Sequence, residues 1–280
     1  MTTVRGSSAP EEATAQVRRG GVRALWAGNP QSVVQRGLLA ARSSSWAVVL
    51  SGFFEPVFYL ASMGIGLGAL IGDVETSSGV EVPYAAFIAP ALLAVSAMNG
   101  AIYDSTWNVF FKLNYGKLYE GMLATSMGPL DVALGEILYA LLRGLLYATG
   151  FMVIMQLLGL NLAWTAVFAL PAVLLIAFGF ASLGMAVTSY MKTFQQMDWI
   201  NFVLLPMFLF SATLYPITIY SEWIQTIIMA FPLWHGVELI RGLTTGILTP
   251  AMWWHVLYFA VMIAVGLVFT TKRLRALFLD

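Results

Sequence analysis

Ionisable and polar side chains inside apolar runs are the residues of this sequence best placed to do chemistry. Glu55 stands directly before Pro56 in one such run, Asn99 and Asp104 lie in a second, and Glu136 and Arg143 lie seven apart in a third. A charge at mid-bilayer costs ~2.5–3.5 kcal/mol on insertion scales, so groups of this kind face protein or water and mark pathways, proton relays or interhelical ties. Pro56 removes a backbone hydrogen bond and kinks a helix, which makes Glu55–Pro56 a candidate hinge with a pathway-facing carboxylate. For Glu55, Asn99 and Asp104 a plain hydrogen bond to a neighbouring helix is an equal reading. Glu136 and Arg143 share a helix face but stand about two turns apart. The favoured reading gives each a partner on another helix or a snorkelling position.

No catalytic constellation accompanies these groups. The two histidines are His235 and His255. His235 and Glu238 share a helical face, but no third or fourth ligand follows, which argues against zinc. There is no G-x-S-x-G and no histidine deep in an apolar run, which argues against an intramembrane hydrolase. The chain has no cysteine, so neither a disulfide nor a thiolate metal site is available. Gly116-Lys117 lacks the upstream glycine of a phosphate-binding loop and is followed by leucine. No polar stretch is long enough to fold a nucleotide-binding domain. The expectation is a non-enzyme with no catalytic residue, no metal and no cofactor bound by this chain.

The elements that must position these residues are membrane helices. The 280 residues are 59% apolar and 10% charged, against about 25% charged for a soluble domain. Apolar runs of roughly 20 residues, the length that spans ~30 Å of hydrocarbon, recur along the chain. Six crossings are expected: Trp46–Ile71, Tyr84–Phe111, Leu130–Leu158, Trp164–Tyr190, Trp199 to about Thr218, and Met252–Thr271. The fold class is therefore an all-α membrane protein, with a six-helix transmembrane domain over 46–271. Residues 1–28 read as a cytoplasmic tail, probable disorder being the inference from their polar, small composition, and 272–280 as a cytoplasmic C-terminal tail. Asn29-Pro30 caps and opens a helix over 29–45. Val33, Val34, Gly37, Leu38 and Ala41 make it amphipathic and suit it to the membrane interface, an ordinary solvated lead-in being the alternative.

With six crossings, 12 of the 14 Lys and Arg fall on the side of the termini, which the positive-inside rule assigns to the cytoplasm. The opposite loop 72–83 is acidic. Two features break the up-and-down plan. A short polar, helix-prone piece, about 112–126, precedes the Gly128-Pro129 break and reads as a cytoplasmic lever. Two short apolar pieces, Glu222–Ala230 and Leu233–Leu243, are divided by Phe231-Pro232. They read as a re-entrant helical pair entering from the outer face, where backbone at membrane depth needs protein or water around it. Glu238 and Arg241, three apart, can pair locally and fix the outer half-helix. Gly179, Ala181, Ser182, Gly184 and Ala186 give the fourth crossing a close-packing face.

These features together resemble the ABC-2 type exporter permease family, in particular its NodJ and daunorubicin-resistance branch, related to polysaccharide and O-antigen exporters. The stretches that carry the resemblance are Met127-Gly128-Pro129-Leu130-Asp131 through Gly135-Glu136-Ile137-Leu138, then Phe208-Leu209-Phe210-Ser211 with Tyr215-Pro216, and Phe231-Pro232-Leu233 through Arg241-Gly242. The resemblance spans about residues 30–275. It implies an ABC ATPase subunit in two copies, which carries ATP and Mg, and a second permease chain in a homodimer or heterodimer. Membrane lipid is a further partner, and no nucleic acid is. It also implies a bacterial plasma (inner) membrane location and export of an amphipathic or lipid-linked substrate, whether glycolipid or polysaccharide, lipid or drug. Under it Lys112, Asn114, Tyr115, Lys117, Tyr119 and Glu120 would couple to the ATPase as a coupling helix. Trp223, Pro232, His235, Glu238 and Arg241 would belong to the outer gate. Phe231-Pro232 departs from the Asn-Pro common in polysaccharide exporters, which keeps drugs and lipids open as cargo.

A proton-coupled secondary transporter using Glu55, Asp104 and Glu136 is the alternative from another class, and it would favour an internal repeat that the chain does not display. A membrane enzyme lacks its constellation, and a scaffold leaves the broken outer helices unexplained.

Overall fold

A computed structural model describes residues 26, 28–42, 54, 56–77, 79–125 and 127–278. The predicted tail up to residue 25, the start of the first predicted crossing with Trp46, and Glu55 lie outside the described residues. In chain order the elements are α1 (Pro30–Arg42), α2 (Pro56–Ile71), the strands β1 (Asp73–Glu75) and β2 (Glu81–Pro83), α3 (Tyr84–Asn114), α4 (Leu118–Leu123) and α5 (Pro129–Leu157). Then come α6 (Trp164–Thr188), α7 (Asp198–Phe210), α8 (Glu222–Met229), α9 (Pro232–Thr245) and α10 (Met252–Phe278).

Four helices, α3, α5, α6 and α10, are long and apolar enough to cross a membrane. The α8–α9 pair passes the same test as a unit, but the two helices meet at a bend of 88°. Phe231-Pro232 makes that bend: Phe231 is extended, and Pro232 opens α9 where its missing N–H costs nothing. α9 has 14 residues, longer than the piece expected there.

The structure corrects two expected elements, the fifth crossing and the lever, and adds detail at two others. The predicted fifth crossing is helical over only the 13 residues of α7, because Ser211–Tyr215 turn away from the helix and Ala212 adopts a left-handed φ of 54°. At 1.5 Å per residue α7 reaches only about 20 Å. The acidic loop 72–83 is in part an antiparallel ribbon, with Val74 opposite Val82. α10 continues past Thr271 to Phe278. The lever is two pieces: α3 runs on to Asn114, a turn follows at Tyr115–Lys117, and α4 covers only six residues.

α3 is the centre of the bundle. From Ala86 to Val95 its side chains are buried all round, which marks a helix enclosed by others. Alanines at 86, 89, 91, 94, 97 and 101 let those neighbours come close. α6 packs between α3 and α10, nearly backbone to backbone. A Cβ on Gly266 would lie 2.5 Å from the Ser182 carbonyl carbon, and one on Gly184 would overlap the Ser105 side chain. α1 lies across the start of α5, where a Cβ on Gly135 would lie 2.5 Å from Val33 Cβ and 2.8 Å from the Pro30 carbonyl oxygen.

The bundle has two distinct ends. One gathers α1, α4, the start of α5 and the C-terminal ends of α3, α6 and α10. There Arg273 donates to the Ser189 carbonyl and lies over the Tyr190 ring. The other gathers the ribbon, the α8–α9 pair and the N-terminal ends of α3, α6 and α10. There the Leu162 and Ala163 N–H groups both donate to the Thr244 carbonyl.

Candidate functional site

Three groups of residues hold the side chains singled out in the sequence. At the α4 end, a helix start organises the first. Asp131, fully buried in the first turn of α5, accepts from the Gly128 N–H and from the Asn29 N–H, each at 2.9 Å. One carboxylate thus caps α5 and fastens the entry of α1 to it. Five residues on, the buried Glu136 carboxylate accepts from Arg36 Nη2 of α1 at 3.0 Å and from Lys112 Nζ of α3 at 2.5 Å. Tyr119 of α4 is wholly buried beside it. Burial, reinforced by the Glu136 charge, pushes that phenol well above its ordinary pKa.

Lys112 therefore points inward to a buried carboxylate, where the sequence assigned it to an outside partner. Asn114 turns its amide back to the Phe110 carbonyl at 3.2 Å. Tyr115, Lys117, Leu118 and Glu120 form the exposed surface of the lever. Lys117, at a left-handed φ of 45°, begins α4 and stands 4.0 Å from Glu120 in an open ion pair. An exposed pair of this kind contributes ~0–1 kcal/mol, so this surface is available for contact at little cost.

The second group lies along α3. Asp104, buried, pairs with Arg143 of α5 and accepts from Asn108 Nδ2 at 2.7 Å. Glu136 and Arg143, which share one helix, thus each take a partner from another. Residues 104–108 are π-helical. A π turn inserts one extra residue, a distortion frequent where a helix carries function, and Thr106 Oγ1 bonds back to the Ile102 carbonyl at 2.6 Å there. Asn99 is exposed and Pro56 is buried at the start of α2; Glu55 is outside the described residues.

Asn99 heads a row that the sequence reading missed. Tyr103, Trp107, Phe111 and Tyr115 follow it at intervals of four along α3. Tyr103 and Trp107 stack at 6.4 Å, Phe194 bridges Trp107 and Phe111 at 5.1 and 6.1 Å, and Phe111 meets Tyr115 at 5.5 Å. The spacing was readable as a helix stripe. Nothing in the sequence said that, among the described residues, Asn99, Tyr103, Phe111 and Tyr115 are exposed.

The third group is at the ribbon end. Arg241 of α9, 3% exposed, donates to Glu238 Oε1 at 2.6 Å, to the Ala212 carbonyl at 2.8 Å and to the Phe87 carbonyl at 3.4 Å, with its guanidinium 3.9 Å over the Phe87 ring. The other Glu238 oxygen accepts from Ser77 of the ribbon at 2.6 Å. Arg241 and Glu238 thereby join α9, α3, the ribbon and the turn after α7. His235 meets His255 of α10, Nδ1 to Nδ1 at 2.7 Å, and stacks on Tyr258 at 4.1 Å. The pairing of the two histidines across 20 residues was not foreseen. No group of three or more potential metal ligands occurs among the described residues. Trp223 lies exposed on α8, and Tyr258 ties α10 to the α8–α9 break through the Ala230 carbonyl at 3.0 Å.

Among the described residues the three groups contain no nucleophile–base pair. They hold ion pairs that bind helices to one another, an exposed lever at one end and a buried tie at the other. Nodulation protein J from Rhizobium leguminosarum bv. viciae is 30% identical over 258 residues, covering 91% of this chain and 98% of that one. Nodulation protein J from Sinorhizobium fredii is 32% identical over 212 residues, covering 75% and 79%. The protein of the same name from Bradyrhizobium diazoefficiens is 32% identical over 215 residues, covering 76% and 80%. The model of the ABC-2 type transporter family matches residues 31–245, and the chain belongs to that family.

Proposed function

We propose that this chain is the transmembrane permease subunit of an ATP-driven exporter, worked by a separate ATPase subunit in two copies and paired with a second permease chain. The observation that carries the reading is the lever. α4 buries Tyr119 and Leu123 against the bundle and leaves Tyr115, Lys117 and Glu120 open at its end of the molecule. Arg36, Lys112, Lys117, Lys192, Lys272, Arg273 and Arg275 share that end, and Arg241 alone of the described cations lies at the other. This asymmetry supports a cytoplasmic α4, cytoplasmic termini and a bacterial inner-membrane location. The reading keeps six crossings, with α7 and its following turn making the fifth.

In this mechanism ATP bound between the partner subunits, with its Mg, draws them together and shifts α4. The shift biases two arrangements of the bundle and opens a path between two permease chains. The row from Asn99 to Tyr115, largely exposed among the described residues, is a candidate wall of that path for an amphipathic or lipid-linked cargo, be it glycolipid, polysaccharide, lipid or drug. A proton-coupled carrier would use free intramembrane carboxylates, whereas Asp104 and Glu136 are each held by cations.

The test is purification with the ATPase subunit into sealed vesicles, followed by hydrolysis in the presence of candidate lipids, glycolipids and drugs. Cargo-stimulated hydrolysis supports the reading. Uphill transport by the permease without an ATPase subunit overturns it.

A further inference from the structure

The ion pairs at the α4 end join into one string whose charges are sorted by depth. Arg36 of α1 and Lys112 of α3 each take one oxygen of Glu136, and Arg143 of α5 pairs with Asp104 of α3. Lys112 also lies within electrostatic reach of Asp104, which links the two carboxylates through one cation. The carboxylates lie inside: the Glu136 and Asp104 side chains are 5% and 6% exposed. The cations lie outside: the Arg36, Lys112 and Arg143 side chains are 35%, 22% and 25% exposed among the described residues. Asp131, also buried at this end, is directed to the backbone N–H groups of Gly128 and Asn29. What the string turns outward is therefore positive.

α1 sets the level of this face. Its Gly37 lies against α5, where a Cβ would come 2.6 Å from Tyr139 Cδ2, while Leu38 and Leu39 beside it are exposed. A helix with one face on protein and leucines on another suits the boundary between headgroups and hydrocarbon. Arg143 stands one turn past Tyr139, about 6 Å further along α5, close enough for a long side chain to reach headgroups. Two rows run side by side on α5. Tyr139, Arg143 and Tyr147 form one, each partly buried, with both tyrosines within reach of the Arg143 charge. Leu138, Leu142 and Leu146 form the other, all exposed among the described residues. A cationic row beside an apolar one matches a molecule with a charged head and a hydrocarbon tail.

We propose that Arg36, Lys112 and Arg143 form a binding site for the headgroup of an anionic phospholipid, in the leaflet on the α4 side, with an acyl chain along Leu138, Leu142 and Leu146. A guanidinium carries five N–H donors and an ammonium three, so cations that hold a carboxylate still have donors to offer a phosphate. Arginine takes a phosphate through two parallel hydrogen bonds, and basic pockets between membrane helices are where acidic headgroups are held. A choline headgroup would bring its own positive charge to a positive face, whereas a glycerol headgroup brings none. Glu136 and Asp104 hold the three cations in place before the lipid arrives, which lowers the ordering cost of binding. The cations come from α1, α3 and α5, so one bound lipid ties all three. The inference needs the membrane setting of these helices and does not depend on an ATPase partner.

The test reads lipid preference. The full-length chain is purified into mixed micelles with equal phosphatidylglycerol and phosphatidylcholine, and native mass spectrometry counts the lipid retained. Thermal melting is followed with short-chain phosphatidylglycerol added. The wild type is expected to retain phosphatidylglycerol several-fold over phosphatidylcholine and to melt several degrees higher with the added lipid, both effects shrinking at high salt. Arg36→Gln leaves Glu136 on Lys112, and the double change Asp104→Asn with Arg143→Gln removes a pair without stranding either partner. Each is expected to lower the preference several-fold. Lys272→Gln, an exposed position near the end of α10, is the control and should leave the preference unchanged. Equal retention of the two lipids by the wild type, or an equal loss in Lys272→Gln, overturns the site. Full preference in both arginine variants places the lipid elsewhere and overturns the assignment to these residues. Inorganic phosphate and glycerol phosphate form the last arm: if either raises the melting temperature as much as the lipid does, the site takes free phosphate and the lipid assignment fails.

Discussion

His235 and His255 face each other nitrogen to nitrogen, Nδ1 to Nδ1 at 2.7 Å, across the seam between α9 and α10. A contact of that length holds one proton, donated by one ring and accepted by the other. At least one imidazole must be neutral. Glu238 and Arg241 on α9, already paired to each other, and Tyr258 on α10 are the other ionisable groups of this seam. Imidazole titrates near pH ~6.5 in the absence of perturbation.

The contact is therefore expected to be present at neutral pH and lost as pH falls and the second ring takes up a proton. The melting temperature of the wild type should drop more between about pH 7 and about pH 3 than that of His235→Phe, which has no shared proton to lose. Equal pH dependence in the two proteins would show that the seam does not depend on proton sharing.

Arg241 is the side chain whose loss should cost most. It is buried and satisfies Glu238 and two backbone carbonyls, so Arg241→Ala strands a carboxylate in a site only 14% open. Breaking a buried pair by removing one partner costs about 3–5 kcal/mol. Thermal unfolding in detergent should show a large loss, with Ser77 and the ribbon becoming accessible to protease.

At the opposite end two lysines five apart should behave differently. Lys112→Glu sets a second carboxylate against buried Glu136 and should destabilise by several kcal/mol. The double exchange Lys117→Glu with Glu120→Lys alters only an exposed pair and should leave stability within about 1 kcal/mol. The exchange is expected to weaken ATPase association several-fold, read by co-purification. Intact association with normal transport would remove α4 from the coupling role.

Gly135→Val tests the crossing of α1 over α5. The added Cβ meets Val33 and the Pro30 carbonyl, and the carbonyl is backbone that cannot rotate away. Overpacking costs typically 1–3 kcal/mol, about as much as lifting α1 off. The measurement is protease cleavage within 30–42, which should appear in the variant before global unfolding does.

Much of the scaffold was legible in the sequence because its signals are local. Asn29-Pro30, Gly128-Pro129 and Phe231-Pro232 each set a helix start through proline's fixed φ, and the structure places α1, α5 and α9 at those points. The apolar runs behind α3, α5, α6 and α10 are long enough to leave no other reading. What escaped is non-local. The residues that hold Glu136 lie 100 and 24 positions away, and His235 lies 20 from its partner. No periodicity encodes such pairings. The early end of α7 escaped for a related reason: Ser211–Tyr215 is apolar enough to continue a helix, and the buried Arg241 takes the Ala212 carbonyl from a distant element.

The glycine contacts at α6 carry a consequence for motion. Gly184 on Ser105 and Gly266 on Ser182 lock α3, α6 and α10 with almost no side-chain padding between them, so sliding any one would drive atoms into main chain. Those three behave as a keel. α7, with Met207 its only buried residue, is held to that keel by far less buried surface.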